Sequence, residues 1–154
     1  MRQVTIRVRA AEVDAATAYH RISDFASYPR FTPTVQEVVV RDAGPGSTVS
    51  DWTVRFRKGL LCWTERDTFD PETRTITFTQ LTGDFAVFDG SWAIEETAEG
   101  TVVTFDSGFD LGIPTLAELL DPVAESTLRN VIRLILTGLL GHVEQLEPPV
   151  LSNA

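Results

Sequence analysis

Residues Pro114–Glu147 read PTLAELLDPVAESTLRNVIRLILTGLLGHVEQLE, and this stretch decides how the rest of the chain is read. From Thr115 to Leu146, Leu116, Leu119, Leu120, Val123, Leu128, Val131, Ile132, Ile135, Leu139, His142, Val143 and Leu146 recur every three or four residues. That is the period of a helix with one buried face. Between Leu134 and Leu140 the apolar stripe widens, which predicts cover on more than one side. No other stretch reads as a long helix. An apolar helix of this length needs a broad partner, and a curved antiparallel sheet is the natural one.

Upstream, strands follow one another. Val4, Ile6 and Val8 alternate with Thr5, Arg7 and Arg9, as in a half-buried strand. Asp14 caps a helix running to about Phe25, with Ala15, Ala18, Tyr19, Ile22 and Phe25 on one face. Ser27-Tyr28-Pro29 ends it, since the residue before a proline avoids helical angles. A short turn follows over Arg30–Thr34. Strands are expected over Val35–Arg41, Thr48–Arg57, Leu60–Phe69, Arg74–Leu81, Phe85–Glu95 and Thr101–Leu111, separated by Gly-, Pro- and Asp-rich turns and by a Lys58-Gly59 hairpin. Strands followed by a helix predict an α+β fold. The sheet has about seven antiparallel strands and wraps round the C-terminal helix, with two short helices after the first strand. Residues 1–147 form one domain, and 148–154 (PPVLSNA) a flexible tail.

Composition narrows the function. A chain of 154 residues is long enough for a real core. Its net charge of −9 argues against nucleic acid and against an anionic membrane surface. No run reaches the roughly 20 apolar residues of a membrane span. The single cysteine, Cys62, leaves no internal disulfide and no Cys-rich metal site. The first ten residues lack the apolar region of a signal peptide, so the expected location is cytoplasmic. The oligomeric expectation is a monomer or homodimer.

Several segments carry a resemblance. Phe25-Ala26-Ser27-Tyr28-Pro29-Arg30-Phe31 is similar to the aromatic-Pro segment of the polyketide cyclase/dehydratase family. Trp63-Thr64-Glu65-Arg66-Asp67, Gly83-Asp84-Phe85 and Gly90-Ser91-Trp92 resemble that family's central hairpins. Glu99-Gly100-Thr101, before a strand ending in Phe109-Asp110, resembles its last one. Their order resembles the helix-grip fold of the START/Bet v 1-like superfamily over nearly the whole chain. The resemblance implies a deep cavity between sheet and helix. It also implies either an aromatase/cyclase activity on poly-β-ketones or the binding of quinones or lipids. The aromatase/cyclases share two cavity arginines and a tyrosine. Those positions fall here at Asp67, Gln80 and Val35, with Arg66 one residue from the first.

Strand alternation then selects the cavity face. On Leu60–Phe69 the apolar face carries Leu61, Trp63 and Phe69, and it takes Glu65 and Asp67 with it. Carboxylates at i and i+2 lie roughly 6–7 Å apart along a strand. In an apolar chamber one of them has a raised pKa and can serve as general acid or base. The competing reading turns Asp67 to solvent at a bulge, or pairs both groups with arginines. Tyr28 is placed near the mouth, its hydroxyl free for a ligand. Glu65, Asp67 and Tyr28 are thus the candidate catalytic residues.

The expected ligand-binding wall comprises Trp52, Phe56, Trp63, Phe78, Gln80, Phe88, Trp92, Phe105, Ser107, Ile135, Leu139 and His142, with Gly90 leaving space beside Trp92. For any one of these aromatics, plain core packing is the competing role. His20 falls off the apolar face of its helix, and Arg129 and Arg133 read as structural. There is no phosphate loop, nucleophile elbow or metal-ligand spacing. The expectation is a cofactor-free cyclase/dehydratase-like protein. It binds a hydrophobic polycarbonyl or polycyclic molecule and promotes its cyclisation or dehydration by acid/base catalysis. The alternatives are a non-catalytic lipid, quinone or polyketide carrier, and an interaction module using Thr75, Thr77 and Thr79 on the outer face.

Overall fold

The computed structural model describes residues 2–56, 59–111 and 117–146. The chain runs β1 (Arg2–Ala10), α1 (Ala15–Ser23), a 3-10 turn (Phe25–Ser27), α2 (Tyr28–Phe31), β2 (Val35–Asp42), β3 (Ser47–Phe56), β4 (Gly59–Asp70), β5 (Thr75–Gly83), β6 (Val87–Thr97), β7 (Gly100–Asp110), α3 (Ala117–Leu140) and β8 (Glu144–Leu146). The strands form one sheet in the order β2-β3-β4-β5-β6-β7-β1-β8, and the strand pairs are antiparallel. The α+β expectation holds, with an eighth short strand beyond the seven expected. The expected helix start at Thr115, the Lys58 turn and the 148–154 tail lie outside the described residues. No helix among the described residues is long and apolar enough to cross a membrane.

Asp14 caps α1, its Oδ1 accepting from Thr17 N–H at 2.7 Å. Ala15, Ala18 and Ile22 are buried and His20 is exposed, as the period required. Pro29 acts differently from expectation. Tyr28 holds helical angles (φ −53°, ψ −43°), so the proline opens α2 rather than ending α1. At the first turn of a helix its missing N–H costs nothing.

The long helix buries Ala124, Leu128, Val131, Ile132, Ile135, Leu136, Leu139 and Leu140 against the sheet. The expected wider cover does not extend to Leu134, which is 44% exposed. Nor does the helix reach Leu146. It stops at Leu140, because Gly141 takes φ +80° and donates its N–H to Thr137 O at 2.9 Å. A left-handed residue just past the last turn is a common helix stop. The chain then reverses into β8, which pairs Arg7 with Leu146 and Arg9 with Glu144. Arg9 also ion-pairs with Glu99 and Glu144, and Arg133 donates to Gln145 Oε1 at 3.2 Å.

Two register shifts curl the sheet. One lies between Val35 and Glu37, the other where Thr64–Glu65 of β4 face Thr82 and Gln80, leaving Leu81 as the extra residue. The second bulge belongs to β5, so the alternation of β4 runs through undisturbed.

Candidate functional site: an aromatic cavity holding a carboxyl pair

Between the sheet and α3 lies a cavity of about 40 Å³. β3 supplies Trp52, Val54 and Phe56; β4 supplies Leu61, Trp63 and Glu65; Phe78, Phe88, Trp92 and Phe105 come from β5, β6 and β7. Leu128, Val131, Ile132 and Ile135 close it from α3, while Tyr28 and Phe85 complete the wall. The rings of Tyr28, Trp52, Trp63, Phe85, Phe88, Phe78, Phe105 and Trp92 form a continuous cluster. Trp52 and Trp63, opposite one another on β3 and β4, stack at 5.8 Å with planes 2° apart. Trp63 meets Phe88 edge-on at 5.3 Å, and Phe85 stacks on Phe88 at 4.5 Å. Such contacts hold each ring's orientation as well as burying area. The free volume suits a few water molecules, whereas ligand pockets run to roughly 300–1,000 Å³.

Glu65 and Asp67 both face inward, 4% and 0% exposed. Glu65 lines the cavity, and Asp67 lies behind it. Asp67 Oδ2 accepts from Ser50 Oγ at 2.6 Å and Thr48 Oγ1 at 2.9 Å. Ser50 Oγ in turn accepts from the Trp52 indole N–H at 2.8 Å, and Glu65 Oε1 from the Trp63 indole N–H at 2.7 Å. Asp67 Oδ1 is buried and has no hydrogen-bond partner among the described residues. Burial pushes the Glu65 carboxyl well above the usual carboxylate range, and the hydrogen bond and charge of Asp67 push the same way. The Trp63 indole opposes them. A carboxyl that stays protonated beside a hydrogen-bonded second carboxyl can deliver and recover a proton. Asp67 does not face solvent, and among the described residues no arginine pairs with either carboxyl. Arg66 points outward and is exposed.

Ten of the expected residues converge on this cavity: Tyr28, Trp52, Phe56, Trp63, Glu65, Phe78, Phe88, Trp92, Phe105 and Ile135. Five do not line it. Asp67 backs Glu65. Gln80 turns its amide onto the backbone of Phe85, donating to Phe85 O at 2.9 Å and accepting from Phe85 N–H at 3.3 Å. Ser107 is buried against β6 rather than against the cavity, and the Gly90 position is not spare room: a Cβ there would stand 2.3 Å from Asp106 O. Leu139 packs in the core outside the cavity lining. His142 lies past the helix stop and is exposed. Tyr28 is also corrected. It is fully buried, and its hydroxyl donates to Ile22 O at 2.6 Å, so its ring forms wall while its proton is committed. Burial, then the charges of Glu65 and Asp67, push that hydroxyl well above its ordinary pKa.

Leu61 lines the cavity as strand alternation placed it, whereas sequence reasoning missed Phe85, Val54, Leu128, Val131 and Ile132 as cavity wall. Alternation sets Phe85 opposite to Phe88. The strand in fact begins only at Val87, and the Gln80 clamp folds Phe85 back over the cavity. The α3 residues were legible from their period, which marked them as core without separating cavity wall from packing.

Comparison with known proteins agrees with this architecture. Residues 11–134 match the family described as polyketide cyclase/dehydrase and lipid transport, and the chain belongs to that family. It is 31% identical over 137 residues to the actinorhodin polyketide synthase bifunctional cyclase/dehydratase of Streptomyces coelicolor. The match covers 84% of this chain and 42% of that protein, so the chain spans less than half the relative's length. Among solved structures, a protein from Thermus thermophilus superposes with TM-score 0.81 at 22% identity, covering 90% of this chain and 94% of the other. The aromatase/cyclase ZhuI from Streptomyces sp. R1128 gives 0.73 at 22%, covering 91% and 92%. At these identities the likeness is one of fold, an antiparallel sheet gripping a C-terminal helix.

Proposed function

We propose that this chain is a polyketide cyclase/dehydratase that takes a hydrophobic polycarbonyl molecule into the aromatic cavity and promotes its cyclisation or dehydration. One observation carries the reading: a single carboxyl, Glu65, is buried in the aromatic lining and backed by a second carboxyl, Asp67, and burial pushes its pKa up. Glu65 gives its proton to a substrate carbonyl oxygen as a carbon-bound proton is lost to the pair, so enolisation leaves the pair's proton count unchanged. In dehydration the same proton leaves with the departing hydroxyl as water, and the proton lost from the neighbouring carbon returns to the pair. The aromatic wall holds the chain folded and keeps bulk water out. A ring system needs more than the present volume, so the side chains of the wall move apart on binding.

Glu65→Gln keeps the side-chain size and an acceptor for the Trp63 N–H, and removes the acid. Co-expression with a poly-β-ketone-forming synthase, read by product distribution, should show cyclised product falling about 10²–10⁴-fold with the far-UV spectrum unchanged. Undiminished product would sink the catalytic assignment. It would favour the carrier reading instead, which the family's lipid-transport members and the largely apolar lining support. In that reading, replacing wall aromatics abolishes binding and replacing Glu65 does not.

A further inference from the structure

The polar groups around the carboxyl pair are one-sided. Tyr28 faces the pair from α2, Thr48, Ser50 and Trp52 from β3, and Trp63 from β4. Across the cavity α3 presents only aliphatic side chains. Every donor to the pair is uncharged. Among the described lining residues there is no Lys, Arg or His, and Asp24, which also acts on Tyr28, is acidic. A carboxylate entering this space gives up its water and meets aromatic faces and two acidic groups. Burying an unpaired charge costs several kcal/mol even after relaxation. An uncharged carbonyl instead finds a proton donor at Glu65.

Resting on the cavity reading above, we propose that the buried Glu65–Asp67 pair is a specificity determinant that admits uncharged carbonyl-bearing ring or chain molecules and rejects carboxylates. The protein is then no carrier of free fatty acids. The reaction that supplies its substrate leaves the acyl end esterified, thioesterified or closed in a ring, and hydrolysis to a free acid falls after this step.

The three tryptophans all line the cavity, so their emission reports occupancy alongside calorimetry. Two probes of nearly equal shape are titrated at neutral pH: 2-acetylnaphthalene, a ketone, and 2-naphthoate, a carboxylate. The ketone should bind at least about 30-fold more tightly, the factor that follows from ~2 kcal/mol of unpaired charge. In the Glu65→Gln/Asp67→Asn protein, its fold checked by circular dichroism, the gap should narrow about tenfold as the repulsion is removed. A second measurement needs no variant: in the unaltered protein, acidification that protonates 2-naphthoate should bring its affinity to that of the ketone. Equal affinities at neutral pH, or a gap indifferent to both changes, overturn the specificity role and leave the cavity reading standing. Failure of both probes to bind overturns the cavity reading and the specificity role with it.

Discussion

Glu65 owes its chemistry to position in a strand. It shares a face of β4 with Leu61, Trp63 and Phe69, and period-two alternation carries it indoors with them. Its proton is therefore linked to stability. The folded pKa is raised above the unfolded value, so the folded state binds the extra proton between the two. Stability contributed by that proton is complete below the unfolded pKa, near 4.3, and declines as pH rises toward the folded pKa. Urea denaturation from pH 4.5 upward should show Glu65→Gln gaining on the unaltered protein, by up to ~1.4 kcal/mol per pH unit; parallel stability curves would contradict the buried protonated carboxyl. Ser50→Ala removes one donor to Asp67 and the acceptor of the Trp52 N–H. That substitution should cost about 1–3 kcal/mol of unfolding free energy, measured by the same method. Both carboxyls were legible from alternation alone. The commitment of the Tyr28 hydroxyl was not, because Ile22 O reaches it only through the turn that joins α1 to α2.

Among the elements, α3 shows how tertiary contact overrides local preference. Gly138 sits inside the helix, where alanine would ordinarily add about 1 kcal/mol of stability. Here a Cβ would come within 2.4 Å of Phe31 O, a backbone atom that α2 cannot cheaply move. Gly138→Ala should therefore destabilise the protein by roughly 1–3 kcal/mol, read by thermal or chemical unfolding; a more stable variant would mean that α2 and α3 are not held in this contact. The apolar repeat ran on through Leu146 and predicted a longer helix. Gly141 was the available stop signal, and it outweighed the repeat by taking a left-handed angle. The residues beyond it then served a different period, that of β8.

For the molecule as a whole, the closeness of the interior is the governing fact. About 40 Å³ of free space is a packed core by volume and a binding site only after rearrangement. A ligand that binds the folded state alone stabilises it by about 2.7 kcal/mol at a hundred times its dissociation constant. For a chain of this length that amounts to roughly 5–10 °C in Tm. Saturating 2-acetylnaphthalene should produce such a shift, and an unchanged Tm alongside calorimetrically proven binding would mean that the ligand binds the unfolded chain equally well, which a folded cavity does not allow.

The order of elements, the inward faces of the strands, the position of the carboxyl pair and the family were all set by residue periodicity and local motifs. These are properties of neighbours along the chain, which a sequence displays directly. The size of the cavity, the clamp of Gln80 on Phe85, the closure of Tyr28 on Ile22 and the retreat of His142 to the surface were decided only by the folded chain. Each depends on how bulges, a helix stop and opposed faces sum in three dimensions, and no local period records that sum.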